Sequence, residues 1–415
     1  MPWFIPALVA IVLAFMTSGY FHTLTDRSDA GNLPVLLIPW GVVALLTLRG
    51  RIPPLWGIAV AAILARCVFI GAPPWLSDDV YRYLAEGHAL NAGENPFLTP
   101  PSMATSLSES LRQQVNHAEL TTLYPAIALA WFRLIDVLGG SVAVAQALSA
   151  VADGFTVAAI YKLAGRRWAL LYAVHPLGPL EAAMGAHIDT LAVALVAWAA
   201  VFVRKRPFWA GALLAMGAGV KLLPAALIPI AAKRYGWRPV LLGTAMGTAI
   251  VLFALIPVLD AGFGLFTTLQ TYGQSWSFNG LGLWLVSPLP SGMMRPVLGL
   301  VGVGAVAWAT WKSSTLHGAW LIVGAAFLLI TPTAHPWYLM WVVIPSLLTR
   351  QWAWVAAAIP LMCSYAVLLS LHNGGTWTEQ PWLLPLTWGP AVAILTVATW
   401  RRTRQSHQPV PSPGE

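Results

Sequence analysis

The sequence predicts an all-α, polytopic membrane protein, and three observations carry that reading. Of 415 residues, 58% are hydrophobic and only 9% charged, against about 25% charged in soluble chains. The mean hydropathy is +0.70, and apolar runs approach the ~20 residues that cross a ~30 Å hydrocarbon core. Alternating strands of ~10 residues, the mark of a membrane barrel, are absent. A soluble domain is excluded, and the formal charge of +8 becomes a question of which side of the membrane it occupies rather than a sign of nucleic acid.

In chain order the apolar segments are 3–24, 33–48, 55–72, 141–164, 168–180, 190–203, 239–259, 293–311, 316–333, 336–348, 352–371 and 382–400, or about twelve transmembrane helices. Residues 1–8 contain no Lys or Arg and no small-residue cleavage site follows, so the first run reads as an uncleaved span. The basic clusters Arg49/Arg51, Lys162/Arg166/Arg167, Arg204/Lys205/Arg206, Lys233/Arg234/Arg238, Lys312, Arg350 and Arg401/Arg402/Arg404 can all be cytoplasmic together. All 15 Asp and Glu except Asp153 and Glu415 then fall outside or near the outer surface, which predicts an external acidic site. Cys67 and Cys363 lie in apolar stretches at no metal or redox spacing and read as packing.

Two segments resist simple spanning. Segment 123–138 is short and carries Arg133 and Asp136; as a full span it would throw Lys162, Arg166 and Arg167 outside, so it reads as an interfacial or half-depth helix. Segment 207–232 has basic clusters at both ends and Gly217, Gly219, Lys221 and Pro224 in its middle. Two half-helices meeting at a broken tip, a re-entrant helical hairpin, satisfy both facts; one tilted span with a misplaced cluster is the alternative. The hydrophilic stretch 73–122 is too long for a connector and reads as a long first external loop. Within it 79–91 has helical spacing, Ser77 is placed to cap that helix with Asp78 and Asp79 in its first turn, and Asn91-Ala92-Gly93 ends it. One membrane domain, 1–404, precedes a polar, Pro-rich tail, 405–415, expected to be disordered and cytoplasmic.

Few residues can carry chemistry. Asp78 and Asp79 read as a capping pair or as a general base and cation-holding acid. Arg82, one turn on, could pair with either or present its fork to a phosphate. Glu181, His187 and Asp189 crowd a short outer turn that dips below the surface, where ionisable groups are expensive and usually functional. Lys221 near mid-membrane costs about 2.5–3.5 kcal/mol unless paired or hydrated; it would serve a phosphate or neutralise Asp153, and Asp153 has Arg66 as a second candidate partner. His335 reads equally as a donor to phosphate or sugar hydroxyl and as an interfacial anchor beside Trp337. Trp75, Trp276 and Trp377 could stack on a sugar face.

The string Ser77-Asp-Asp-Val-Tyr-Arg-Tyr-Leu-Ala-Glu-Gly87, followed by Gly93-Glu-Asn-Pro-Phe97, resembles the first external loop of bacterial integral-membrane mannosyltransferases of the GT-C superfamily. The similarity continues through Asn116-His117, Tyr124-Pro125, His175-Pro-Leu177 with Glu181 and His187-Ile-Asp189, Lys221-Leu-Leu-Pro224 and His335-Pro-Trp-Tyr338. The family pattern is richer in proline over 116–126, where this chain has Ala118, Thr121 and Ala126. The resemblance implies a catalytic carboxylate on the first external loop, a polyprenyl-phosphate sugar entering from the bilayer, and inversion at the anomeric carbon.

The expectation is therefore a hexosyltransferase, mannosyltransferase-like, moving its sugar to a glycan or glycolipid hydroxyl on the outer face of a bacterial plasma membrane. Asp78 or Asp79 would be the base, and Tyr81, Arg82, Glu181, His187, Asp189, Lys221, His335 and Tyr338 would bind substrate. No cofactor is required by the sequence, a divalent cation is chemically admissible at the acidic pair, and no nucleic-acid partner is expected. A transporter or flippase of a lipid-linked sugar is the rival, because it too places polar residues at mid-membrane.

Overall fold

The computed structural model describes residues 44, 47, 49–50, 52–74, 76–368 and 376–406. The first apolar segment, most of the second, Trp75 and residues 407–415 of the tail lie outside the described residues. The described elements are helical: α1 (Leu55–Cys67), α2 (Asp79–Asn91), α3 (Glu109–Arg112), α4 (Ala126–Val137), α5 (Val142–Ala164), α6 (Arg166–Ala173), a π-helical segment Gly178–Met184, α7 (Asp189–Phe202), α8 (Pro207–Ala218), α9 (Ile228–Tyr235), α10 (Trp237–Leu255), α11 (Thr267–Ser275), α12 (Leu281–Leu285), α13 (Ser291–Lys312), α14 (Leu316–Ile330), α15 (Met340–Leu348), α16 (Ala353–Met362) and α17 (Leu383–Ser406). Among the described residues the extended pairing is limited to isolated bridges of Phe278 and Asn279 with Thr333. Helix α17 runs to Ser406, two residues into the segment expected as tail.

Among the described residues four helices are long and apolar enough to cross a membrane, or five if Gly178–Met184 and Asp189–Phe202, bent by 118°, form one span. Other apolar runs of the described chain form shorter helices, several of them where proline interrupts the run by removing a backbone donor and clashing with the preceding turn. Pro176 precedes the π-helical segment and Pro179 lies in its first turn, Pro224 opens the 3-10 turn Leu223–Leu227, and Pro336 opens another at Pro336–Leu339. Segment 207–232 breaks where its glycines stand, between Ala218 and Leu223, which leaves Lys221 at the break.

Burial separates an inner from an outer set of helices. Half of the α5 span is buried in protein, but only 11% of the α13 span, whose Leu300, Val303 and Trp311 point outward as lipid-facing side chains should. Helix α5 starts on Ser141, whose hydroxyl accepts the Val144 N–H at 3.3 Å, and α14 on Thr315, which accepts from Gly318 at 3.1 Å; both satisfy donors the helix leaves open. Inside, Arg66 of α1 is ion-paired with Asp153 of α5, and the Tyr172 hydroxyl donates to the same carboxylate at 2.5 Å.

The long polar stretch is folded, not loose. Ala104, Leu107 and Val115 pack with Ala85 of α2 into a small core of their own, Glu94 accepts hydrogen bonds from Thr105 and Ser106, and Thr122 donates to Glu86 at 2.7 Å. Helix α2 in turn lies hard against α4: a Cβ on Gly87 would sit 2.2 Å from the Phe132 carbonyl oxygen, so only glycine permits this approach. The first turn of α4 is tied to the α8 break, since the Ile127 and Ala128 N–H groups donate to the Gly219 carbonyl at 2.8 and 3.3 Å.

Candidate active site

Helix α2 spans Asp79–Asn91, the bounds its spacing predicts, and Ala92 and Gly93 (φ +88°) end it. Only Asp79 is in its first turn. Asp78 is the residue before it, and the Ser77 hydroxyl accepts the Asp79 N–H at 3.3 Å. The Asp78 carboxylate does not cap the helix because Asn116 claims it: Asn116 Nδ2 donates to Asp78 Oδ1 at 2.5 Å and to Asp79 Oδ1 at 3.2 Å, bridging the pair. Burial first, then the charge of Asp78, push the Asp79 carboxyl up to about 6, against the Asn116 hydrogen bond and the cations Lys221 and Arg82, which hold it down. A carboxylate poised near neutral pH is suited to general-base work.

Arg82 does not do what its spacing suggested. It turns from both aspartates and donates to Glu86 at 3.1 Å, to the Leu120 carbonyl at 3.2 Å, and to the Asn116 and His117 carbonyls at 2.6 Å each. With both terminal nitrogens committed and the residue buried, it is a clamp that sets Asn116 against the acidic pair rather than a fork for phosphate or a partner for Asp78 or Asp79. Burial also raises the Glu86 carboxyl, against the pull of Arg82. Tyr81 packs half-buried on the small core of the loop.

The second constellation closes on the first. Glu181 lies in the π-helical segment and Asp189 opens α7. Between them, His187 Nδ1 lies 3.8 Å from Asp79 Oδ2 and its Nε2 lies 3.4 Å from Glu181 Oε2. Lys221 Nζ donates to Asp189 Oδ2 at 2.6 Å, and Trp341 Nε1 donates to Asp189 Oδ1 at 2.8 Å. The expected alternative, Lys221 with Asp153, is not formed, because Asp153 belongs to Arg66. The ammonium also sits 4.8 Å over the Tyr338 ring, a cation–π contact.

Aromatic rings pack around this cluster. His187 stacks on Trp337 at 4.0 Å, Trp337 on His335 at 4.3 Å, and His335 on Phe278 at 5.0 Å. Tyr272, with no signal in the sequence beyond its polar tip, reaches Tyr338 hydroxyl to hydroxyl at 3.3 Å and stacks on Trp276, which meets His117 edge-on. Trp377 packs on Phe278. His175 is buried apart from this group, with Nε2 3.4 Å from the Val355 carbonyl oxygen. Trp341 and Tyr365, whose hydroxyl donates to Glu181 at 2.8 Å, were invisible to sequence reasoning, since single aromatic residues in apolar runs look like packing. Among the described residues no three His, Cys, Asp or Glu side chains form a group able to hold a metal ion.

An all-helical apolar bundle that brings an acidic pair and a part-buried lysine into one cluster accords with the integral-membrane glycosyltransferases that the motifs resemble. Residues 61–235 match the model of the MptA_B family, described as the N-terminal domain of alpha-(1->6)-mannopyranosyltransferase, and this match supports a GT-C-like mannosyltransferase, an enzyme of mannosyl transfer in a membrane setting. The matched stretch contains Asp78, Asp79, Glu181, His187, Asp189 and Lys221 and ends before His335 and Tyr338. No curated protein and no solved structure matches the chain.

Proposed function

We propose that the chain transfers a hexose, mannose above all, from a polyprenyl-phosphate donor to a hydroxyl of a glycan or glycolipid acceptor, with inversion, on the extracytoplasmic side of a bacterial plasma membrane. The observation that carries this reading is the acidic pair bridged by Asn116 in one cluster with Lys221, at a helix break of the kind that lines intramembrane cavities. Asp79 is the base: it takes the acceptor proton as the hydroxyl oxygen attacks the anomeric carbon. The bond from that carbon to the phosphate oxygen breaks with its electron pair leaving on the polyprenyl phosphate. Lys221, fixed by Asp189, stabilises that charge, with His335 and Tyr338 beside it. Asp78 orients the acceptor hydroxyl, and the scheme needs no metal. The 207–232 segment enters the bilayer as a re-entrant hairpin, which brings Lys221 to the donor phosphate.

The test is incubation of the purified chain with polyprenyl-phosphate mannose or glucose and a membrane lipid extract, with product identified by mass spectrometry. Asp79→Asn keeps the shape and removes basicity, so turnover is expected to fall by about 10²–10⁴ with expression intact. Near-normal turnover in Asp79→Asn would move the base elsewhere, and movement of labelled lipid without a glycosidic product would favour the flippase.

A further inference from the structure

The segment that carries Glu181 and His187 is built at a cost that packing does not explain. Residues 178–184 run as a π-helix, a rare geometry that recurs at functional sites. Ala186 adopts φ 52°, a conformation unfavourable for a residue with a Cβ and concentrated at sites that must aim a side chain. The side chain it aims is His187. Gly185 leaves room for that ring, since a Cβ there would lie 2.7 Å from Cδ2 and 2.9 Å from Nε2, and Trp337 supports its face.

Both His187 ring nitrogens and Glu181 Oε1 are sealed from solvent and form no hydrogen bond, whereas roughly 90% of buried polar groups find a partner. The contacts that remain run in one line. Asp79 Oδ2 faces His187 Nδ1, His187 Nε2 faces Glu181 Oε2, and the same oxygen accepts the Tyr365 hydroxyl. Lys221 and His335 also act electrostatically on His187, and Asp189 on Glu181. The 3.8 and 3.4 Å separations are longer than hydrogen bonds but within the range of catalytic contacts that shorten in a Michaelis complex.

We infer that His187, Glu181 and Tyr365 form a buried proton relay behind Asp79, with Glu181 the terminal acceptor of the proton taken from the acceptor hydroxyl. The relay rests on the assignment of Asp79 as base. The relay starts from the state in which Asp79 and Glu181 are carboxylates and His187 is neutral, its proton on Nε2. As the acceptor O–H bond breaks, Asp79 gains the proton and passes it to His187 Nδ1, while the Nε2 proton moves to Glu181. His187 ends neutral with its proton on Nδ1, Glu181 ends as the acid, and Asp79 is a carboxylate again. Tyr365 keeps its own proton and holds the Glu181 carboxylate in line. The proton is thereby removed from the new glycosidic oxygen until product departs, and the reverse passage then returns it through Asp79 to water. His187, Glu181 and Tyr365 act through Asp79 and are positioning residues, not substrate ligands.

Transfer from polyprenyl-phosphate mannose by the full-length chain, measured in light and heavy water, tests the relay. Glu181→Gln is expected to lower kcat by about tenfold or more at unchanged donor and acceptor KM, and to turn a curved proton inventory linear. Tyr365→Phe should do the same to a lesser degree, and Glu181→Asp should recover part of the rate. A rise in either KM at wild-type kcat would make Glu181 a substrate ligand, and a lowered melting temperature at wild-type kcat would make it a packing group; both overturn the relay. An inactive Asp79→Asn beside a Glu181→Gln with wild-type kcat would sink the relay alone, whereas normal turnover in Asp79→Asn would sink the base assignment on which it stands.

Discussion

Among the described residues two Lys or Arg pairs with a carboxylate cross the bundle, and they differ in how far they are closed. Arg66 and Asp153 are 4% and 0% exposed. Arg66 Nη1 is spent on the Ala62 and Ala173 carbonyls at 2.9 Å each, and Asp153 also accepts from Tyr172. Asp189 is equally buried at 1%, but Lys221 keeps 24% of its side chain exposed and makes one hydrogen bond, to Asp189. Both pairs carry the desolvation cost of ions inside a membrane protein. The first recovers it in contacts with α1, α5 and α6 and has nothing left to offer. The second holds a cation, with donors to spare, at a helix break in the cluster that contains Asp79. Closure separates the pair that holds the fold from the pair available to a ligand.

The largest effect should therefore come from the closed pair, and on stability. Arg66→Met strands Asp153 beside one tyrosine, and breaking a buried pair in this way costs about 3–5 kcal/mol. Thermal unfolding in detergent should show a lower midpoint, with turnover per folded molecule unchanged well below it. A variant as stable as the wild type would break the contrast at once.

Much of this was legible in the sequence. The bounds of α2 follow from its spacing and its Asn91-Ala92-Gly93 stop, and Glu181, His187, Asp189 and Lys221 announced themselves as ionisable groups in apolar surroundings. Their partners were not legible. Lys221 finds Asp189, 32 residues upstream, because the chain bends by 118° just before α7, and no periodicity reports a bend angle. Arg82 was read from helical spacing as a neighbour of Asp78 and Asp79, but the loop brought three carbonyl acceptors to it from another direction, and Glu86, one turn on along its own helix, supplied a fourth. The π-helical turn is equally silent, since one added residue per turn leaves an apolar run apolar. Hydropathy saw continuous spans where proline has made shorter helices.

A smaller effect is expected at the open pair, and on binding. Lys221→Met removes the ammonium and keeps an apolar stem of similar length. Affinity for polyprenyl-phosphate mannose should weaken by about 1.5–3 kcal/mol, the worth of a hydrogen bond to a charged group. The single variant also strands Asp189, so stability will fall as well. Lys221→Met with Asp189→Asn relieves that, since the amide still accepts from Trp341. The double variant should regain its melting temperature without regaining donor affinity; if affinity returned too, Lys221 would be a second structural cation and the contrast would vanish.

The smallest effect is a displacement of the acid limb of the pH profile, and it asks whether Lys221 and the acidic pair share one electrostatic environment. Asp79 works as a base only when ionised, so kcat/KM, which reports the free enzyme, should rise with pH through about 6, where burial and Asp78 place its carboxyl. Asp78→Asn deletes a negative neighbour that makes a second negative charge unfavourable; ionisation becomes easier and the limb should move to lower pH. Lys221→Met deletes a cation that favours the ionised form, so the limb should move the other way, to higher pH. Arg66 is not among the charges acting on Asp79, and its replacement should leave the limb in place. Opposite shifts from Asp78 and Lys221, with none from Arg66, would place the open pair and the base in one site. A limb that ignored Lys221 while following Asp78 would detach the cation from the chemistry and leave it, like Arg66, to the fold.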